Sequence, residues 1–242
     1  MRMLMAVLLS LGIASVSAAE VFVHVFRCDG KTPAPLADPN VPNAYGDIMV
    51  GTRLVLLVSS DTGGIWWGGL QLTWDDWERG QLTGRGSDSN SPPLNCRDSV
   101  LPAAGSQATA TFMVPTGWAR FDLSTNRDAV PGDWFVLDYH ALEAGTCRIG
   151  LFDYDADLFT PQKVLSFTNV PTRDFKSDTI VNFKDFALLA SQWRQATVLE
   201  PNAVSPYDLD ADRFIGPRDI ERFSDYWLQR TDCNVTQPPA GS

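Results

Sequence analysis

The chain repeats itself near its carboxyl end, and this repeat limits the possible folds more than any other feature. The same residue type recurs 34 positions later at four anchors, which are the pairs Asp174/Asp208, Asp178/Asp212, Asp185/Asp219 and Trp193/Trp227. The apolar Val181 likewise corresponds to Ile215. Identical anchors at one constant offset indicate two copies of a small structural unit.

The second copy opens with a segment typical of a calcium loop. Calcium takes roughly six to eight oxygen ligands, and a twelve-residue loop supplies them from its odd positions and from position twelve. The predicted ligands of this loop (loop 2, residues 208–219) are Asp208, Asp210, Asp212, the carbonyl of Phe214 and Asp219, with Gly216 acting through water.

The first copy departs from this pattern. The predicted ligands of its loop (loop 1, residues 174–185) are Asp174, Asp178, the carbonyl of Ile180, Asn182 and Asp185. Lys176 occupies the third position, where an oxygen is expected, and an ammonium group cannot ligate a cation. Thr179 and Arg213 replace the glycine that makes the sharp turn at position six. We therefore expect loop 1 to bind calcium more weakly than loop 2.

A helical spacing of apolar residues follows each loop. These residues are Phe186, Leu189, Ala190 and Trp193 in the first copy, and Ile220, Phe223 and Trp227 in the second. Spacings of three, four and seven indicate an amphipathic helix. The sequence therefore predicts a small all-α pair of loop–helix units over 171–234, followed by a flexible tail at 235–242.

Residues 20–170 follow a different pattern, with about eight short apolar runs between turn-rich stretches. The runs are 21–26, 54–58, 69–74, 108–114, 119–123, 134–141, 147–152 and 164–170. Within them apolar and polar residues alternate with period two, as in half-buried strands. This pattern predicts a β-sandwich, with surface loops at 28–48 and 80–107. The predicted fold class is thus mainly β, with the all-α pair appended.

The amino end is typical of an export signal. Arg2 precedes the apolar run 4–13, and Ser17-Ala18-Ala19 supplies a cleavage pattern of small residues. We expect a signal peptide over 1–19 and a secreted or cell-surface protein, with an amino-terminal membrane anchor as the alternative. The formal charge of −10 argues against a nucleic-acid partner.

The repeat resembles a known family. The pattern Asp-x-x-x-Asp-x-x-Val-Asn-x-x-Asp-Phe-x-x-Leu-Ala-x-x-Trp from Asp174, followed by Asp-x-Asp-x-Asp-x-x-Ile-x-x-x-Asp-Ile from Asp208, resembles a type I dockerin. This resemblance implies folding on calcium and binding to a cohesin module of another protein. It also implies partner contacts at loop positions ten and eleven, which are Phe183, Lys184, Pro217 and Arg218. Cellulosomal members often carry a hydroxyl pair there, so this departure argues against a cellulosome-type partner.

The sandwich resembles a cohesin or a related carbohydrate-binding module with a jelly-roll-like fold. The residues that carry this resemblance are Gly-Gly-Leu-Gln-Leu-Thr-Trp-Asp at 68–75 and Pro-Gly-Asp-Trp-Phe-Val-Leu-Asp-Tyr at 131–139. A cohesin-like sandwich joined to a dockerin-like unit is similar to planctomycete-type surface proteins.

Four cysteines in an exported chain are expected to be oxidised, and they allow three connectivities. In cohesin-like sandwiches the first and last strands are neighbours, and a dockerin-like pair brings its own ends together. The two resemblances therefore imply the bonds Cys28–Cys233 and Cys96–Cys147, with the other two connectivities left open.

Three functions from different classes follow. The leading one is a secreted, non-catalytic interaction protein that uses calcium to bind a cohesin-type partner. The second is carbohydrate binding through the sandwich, with Trp67 and Trp77 as stacking candidates and with Trp74 and Trp134 assigned to the core. The third is a small glycan-active enzyme subunit, although no catalytic motif is present and no catalytic residue is predicted.

Overall fold

The computed structural model describes residues 20–86, 94–102, 107–113, 118–194 and 205–231, and the described chain is mainly β. Its strands are β1 (Val21–Arg27), β2 (Ala44–Met49), β3 (Arg53–Ser60), β4 (Trp66–Thr73), β5 (Gly80–Gly84), β6 (Leu94–Asn95), β7 (Ala108–Met113), β8 (Trp118–Thr125), β9 (Gly132–Ala141), β10 (Gly145–Asp153) and β11 (Lys163–Val170). Its helices are α1 (Trp74–Arg79), α2 (Phe183–Ser191) and α3 (Pro217–Ser224), with one 3₁₀ turn at Arg97–Ser99. The predicted signal peptide and tail lie outside the described residues.

The strands form two sheets. The smaller sheet has the order β1-β3-β9-β5 and is antiparallel throughout. The larger sheet has the order β2-β11-β10-β4-β8-β7-β6. Its only parallel pair among the described strands is β2 with β11. The cohesin resemblance implied that the first and last strands are neighbours, and this is wrong, because β1 and β11 lie in different sheets.

Period-two alternation builds the core between the sheets. In β8 every second residue is buried, from Ala119 to Thr125. The largest buried side chains of this core are aromatic, namely Trp66, Trp134, Phe121, Phe135, Tyr139 and Phe167. Trp134 is therefore a core residue, as expected for a large aromatic side chain of a sandwich.

Three strands and one helix were not predicted from the sequence. β2 lies inside the proline-rich segment 28–48, and β5 and β6 lie inside 80–107. Trp74 was assigned to the core by extending the alternation of β4 by one residue. It is instead exposed, because the Thr73 side chain accepts a hydrogen bond from the Asp76 amide and starts α1 at Trp74.

The prediction of a small all-α pair after residue 170 is wrong. The helices there are only nine and eight residues long, and the rest of the described segment is turns, bends and one isolated bridge. Trp193 and Trp227, taken as helical from their spacing, lie in turns beyond the ends of α2 and α3. Each copy uses twelve residues for its loop and only nine or eight for its helix, so most of this segment is not helical.

The segment after the last strand, here called the repeat region (residues 171–194 and 205–231), has a small core that includes one residue of the sandwich. Its buried apolar residues are Val181, Leu189, Ile215, Phe223 and Tyr226, and they pack around Met49 from the end of β2. The Val50 amide also donates a hydrogen bond to the Val170 carbonyl. The sandwich therefore completes the core on which both loops rest.

Candidate functional site

The backbone of the repeat region repeats as its sequence does. Six residues other than glycine adopt a left-handed conformation in three pairs 34 positions apart, which are Ser177/Ala211, Thr179/Arg213 and Arg194/Leu228. Thr179 and Arg213 stand where the calcium-loop pattern expects glycine, with φ of 74° and 68°. The sharp turn at position six therefore forms in both loops, at a conformational cost of about 1–2 kcal/mol per residue.

Hydrogen bonds cross between the two copies in a reciprocal manner. The Leu228 amide donates to the Val181 carbonyl at 2.9 Å, and the Arg194 amide donates to the Ile215 carbonyl at 3.0 Å. Each loop is thus tied to the segment that follows the other copy's helix. An isolated β-bridge also joins Ile180 of loop 1 to Arg230, beyond the end of α3.

Loop 2 brings three of its predicted ligands together. One carboxylate oxygen from each of Asp208, Asp210 and Asp212 lies within 4.8 Å of the others. The Arg213 amide donates to Asp208 Oδ2 at 2.9 Å, which orients that carboxylate from the left-handed turn. Asp210 Oδ2 is buried and has no hydrogen-bond donor among the described residues. The group presents oxygen atoms only, as hard cations prefer.

Asp219, the predicted twelfth ligand of loop 2, is not part of this group. Its Oδ1 accepts from the Leu209 amide at 2.6 Å and its Oδ2 from the Gly216 amide at 2.7 Å. The carboxylate thereby closes the loop and satisfies an amide at the start of α3, where negative charge is favourable. Phe214 is exposed, and its amide donates to Asp212 Oδ1 at 2.9 Å.

Loop 1 gathers a different set. Carboxylate oxygens of Asp174, Asp178 and Asp185 lie within 4.8 Å of one another. Asp185 accepts from the Lys176 and Asn182 amides, as Asp219 does in loop 2. Asn182 caps α2 through its side chain, and its amide nitrogen donates to the Ile180 carbonyl at 2.9 Å. The Asn182 side chain and the Ile180 carbonyl, both predicted to be calcium ligands, are thus hydrogen-bonded to each other.

A lysine side chain already pairs with one carboxylate of loop 1. Lys184 Nζ lies 2.6 Å from Asp178 Oδ2, and the hydrogen bond from this ammonium group lowers the pKa of Asp178. The side chain of Lys176 is exposed. Loop 1 therefore carries a competing cation at Asp178, whereas no described ion pair involves Asp210 or Asp212 in loop 2. This arrangement agrees with weaker metal affinity in loop 1.

The four residues that the dockerin resemblance assigned to partner contacts are exposed. They are Phe183 and Lys184 at the start of α2, and Pro217 and Arg218 at the start of α3. Phe183 is 75% exposed and packs edge-on against Trp227, with ring centroids 4.9 Å apart.

The two tryptophans predicted to stack on sugar have different environments. Trp77 is partly buried, packs against the sandwich core and stacks on Phe112 at 5.6 Å. Trp67 is 49% exposed and contacts Tyr154 edge-on at 5.2 Å.

Polar residues that the sequence did not single out surround Trp67. The Tyr154 hydroxyl donates to Asp122 Oδ1, and it accepts from Gln71 Nε2. Arg120 pairs with Asp122 at 2.9 Å and lies over the Trp118 ring. Gly69 makes room for this group, because an added Cβ would lie 2.5 Å from the Tyr154 hydroxyl. In the sequence, the adjacent glycines at 68–69 were the feature that could have indicated this group of side chains.

The cysteines differ from the predicted connectivity. Cys28 is disulfide-bonded, and its predicted partner Cys233 lies outside the described residues. Cys96 and Cys147 carry buried thiols, so the predicted Cys96–Cys147 bond is wrong. Cys96 packs at Gly84, whereas the Cys147 thiol donates to the Gly80 carbonyl at the other end of β5. Four residues of strand separate these contacts by about 13 Å, too far for a disulfide.

No protein-family model, curated protein or solved structure matches the chain. Among the described helices, none combines the length and the apolar character needed to cross a membrane.

Proposed function

We propose that the chain is an exported, non-catalytic interaction protein whose repeat region binds calcium and docks onto a cohesin-type partner. The observation that carries this proposal is the convergence of three carboxylates in each loop, within 4.8 Å. Two of the three positions, Asp174/Asp208 and Asp178/Asp212, are related by the internal repeat. Carboxylates held this close repel one another, and a bound cation relieves that repulsion.

The ligand chemistry favours calcium over softer metals. Neither carboxylate group includes a histidine or cysteine, and oxygen-only sites suit calcium or magnesium rather than zinc or copper. Flexible loops that offer backbone carbonyls fit the variable geometry of calcium better than the strict octahedron of magnesium. The buried Asp210 Oδ2, with no donor among the described residues, gives further support for a cation in loop 2.

Calorimetric titration of the full chain with calcium tests this proposal. Asp210→Asn and Asp212→Asn should remove the tighter of two binding events, because each replaces an ionised ligand of loop 2. Asp128→Asn, an exposed aspartate in the turn before β9, is the matched control and should leave the isotherm unchanged. Absence of binding by the unmodified chain would falsify the calcium proposal.

Partner docking is tested separately. An immobilised cohesin module should retain the chain in calcium and release it in chelator. Phe183→Ser should weaken retention, because it removes an exposed aromatic anchor. Phe159→Ser changes a phenylalanine of the sandwich that is 89% exposed, and it serves as the control. Equal retention of both variants would count against the assigned surface.

A second candidate function is glycan binding by the outer face of the larger sheet. Its support is the half-exposed Trp67 ring beside the hydrogen-bonded group of Gln71, Asp122 and Tyr154. An aromatic platform beside fixed polar groups suits a sugar, which has both apolar and hydroxyl faces. Trp67→Ala should abolish sedimentation with an insoluble polysaccharide, whereas Trp74→Ala, exposed elsewhere, should not.

A further inference from the structure

A cavity lies between the sandwich and the repeat region. Its volume is about 690 Å³, within the usual range for small-molecule sites. Thr52 and Leu54 line it from the sandwich, and Arg173, Arg222 and Tyr226 line it from the repeat region. The cavity is thus built by both parts of the chain, and it is separate from the exposed helix starts and from the Trp67 face.

Arg173 is the unusual residue of this cavity. Its side chain is only 3% exposed, and its Nε is buried without a hydrogen-bond partner among the described residues. One terminal nitrogen donates to the Pro171 carbonyl, and the guanidinium lies over the Tyr226 ring at 4.4 Å. It forms no direct ion pair with any described carboxylate, although the charges of Asp47 and Asp225 act on it at longer range. Burying an arginine without a directly paired counter-charge is costly, so such a residue commonly binds an anion.

Four aspartates line the cavity; Asp225 is exposed, and the other three are engaged in other contacts. Asp29 accepts hydrogen bonds from the Lys31 and Thr32 amides and from the Thr32 hydroxyl. Asp47 is hydrogen-bonded to Tyr226, and burial raises the pKa of this tyrosine to about 12, so its hydroxyl keeps the proton that it donates. Asp210 belongs to loop 2. A multiply charged anion would still be repelled by these groups, which favours a ligand of single charge.

We propose that this cavity binds a small organic monocarboxylate, whose carboxylate pairs with Arg173 and with the exposed Arg222 at the cavity rim. A guanidinium presents two parallel N–H donors that match the two carboxylate oxygens. The Tyr226 ring and Leu54 supply apolar surface for the rest of the molecule. This inference goes beyond the calcium proposal and does not depend on partner docking.

The test uses two sugars that differ in one group. D-glucuronate carries a carboxylate where glucose carries a hydroxymethyl group, and both are titrated into the full chain by calorimetry at saturating calcium. We expect glucuronate to bind and glucose not to bind. Acetate should bind more weakly than glucuronate, because it fills less of the cavity. Inorganic phosphate, which carries more charge, should bind more weakly than either carboxylate.

Two variants assign the site. Arg173→Lys keeps the charge but loses the paired donors, and it should weaken glucuronate binding roughly tenfold or more. Arg222→Gln, at an exposed position that is safe for folding, should weaken it several-fold. Arg148→Gln, an exposed arginine on β10 outside the cavity, is the control. The proposal is overturned if neither carboxylate binds, if glucose or phosphate binds as well as glucuronate, or if both cavity variants bind normally.

Discussion

The sulfur of Met49 accepts a hydrogen bond from the backbone amide of Arg173 at 3.1 Å. Met49 ends a strand of the sandwich, and Arg173 immediately precedes loop 1. Met49 is fully buried, in the core of the repeat region rather than in that of the sandwich. The two parts of the chain therefore share one packed side chain, and the stability of each depends on the other.

Met49→Ala should destabilise the whole chain by about 2–5 kcal/mol, because it leaves a cavity in the shared core. Met49→Leu conserves volume and should cost less than about 1.5 kcal/mol. Urea denaturation in calcium measures both losses, with Met113→Ala on half-buried β7 as the control. A loss for Met49→Ala no larger than that for Met113→Ala would mean that the contact contributes little.

Calcium should stabilise the sandwich as well as the loops. A ligand present at about a hundred times its dissociation constant adds about 2.7 kcal/mol to the folded state. Because Met49 links the two parts of the chain, we expect a single thermal unfolding transition. Its midpoint temperature should rise on adding calcium and fall in chelator. Near-ultraviolet circular dichroism, which reports the buried Trp66 and Trp134, monitors the sandwich. Two separate transitions, with the sandwich transition insensitive to calcium, would contradict the coupling.

The affinity of loop 1 should rise when its competing cation is removed. Lys184→Met frees Asp178 Oδ2, and we expect roughly two- to fivefold tighter binding at the weaker site, the range for an exposed ion pair. Lys176→Asp supplies a carboxylate at the third loop position and should tighten the same site further. Lys31→Met, far from both loops in sequence and exposed, is the charge-matched control. An unchanged isotherm for both loop variants would show that these lysines do not weaken calcium binding at loop 1.

Thr179→Gly should stabilise the chain by about 1 kcal/mol, because glycine adopts a φ of 74° without the steric cost that threonine pays. Thr179→Ala retains a Cβ and should give no comparable gain. Thermal unfolding of the two variants in saturating calcium separates the effect of conformation from that of losing the threonine side chain. Equal stabilities would show that the left-handed turn is not strained.

The thiols of Cys96 and Cys147 should be inert in the folded chain. Burial raises the pKa of both, that of Cys147 to about 12, so neither is ionised at pH 8. Ellman's reagent should detect no thiol before denaturation and two per chain after it. Non-reducing peptide mapping should recover Cys28 joined to Cys233. A recovered Cys96–Cys147 peptide would contradict the structure.

Because the Cys147 thiol is buried, the stability of the folded chain depends on pH in the alkaline range. The unfolded chain ionises Cys147 near its ordinary pKa of 9.0, whereas the folded chain holds the proton until about pH 12. The contribution of the neutral buried thiol is therefore complete below pH 9 and is lost progressively as pH rises towards 12. Cys147→Ala should flatten this part of the stability profile measured by urea denaturation, and Cys28, which does not titrate, contributes nothing to it.

Local patterns were sufficient where one short segment decides the outcome. The 34-residue offset located both loops, because ligand spacing within a loop is a property of consecutive residues. Alternation located most strands, because a side chain two residues along a strand returns to the same face. Alternation failed at Trp74, where a single capping hydrogen bond from the Asp76 amide replaced a strand with a helix.

Tertiary structure decided everything that required residues distant in the chain to meet. The thiols of Cys96 and Cys147 lie at opposite ends of β5, which no spacing of cysteines could reveal. Trp77 is partly buried against Phe112, which comes from another strand. The core of the repeat region needed Met49, which lies more than a hundred residues earlier in the chain. The sequence by itself determined which atoms can bind a cation, and packing between sandwich and repeat determined how they are held.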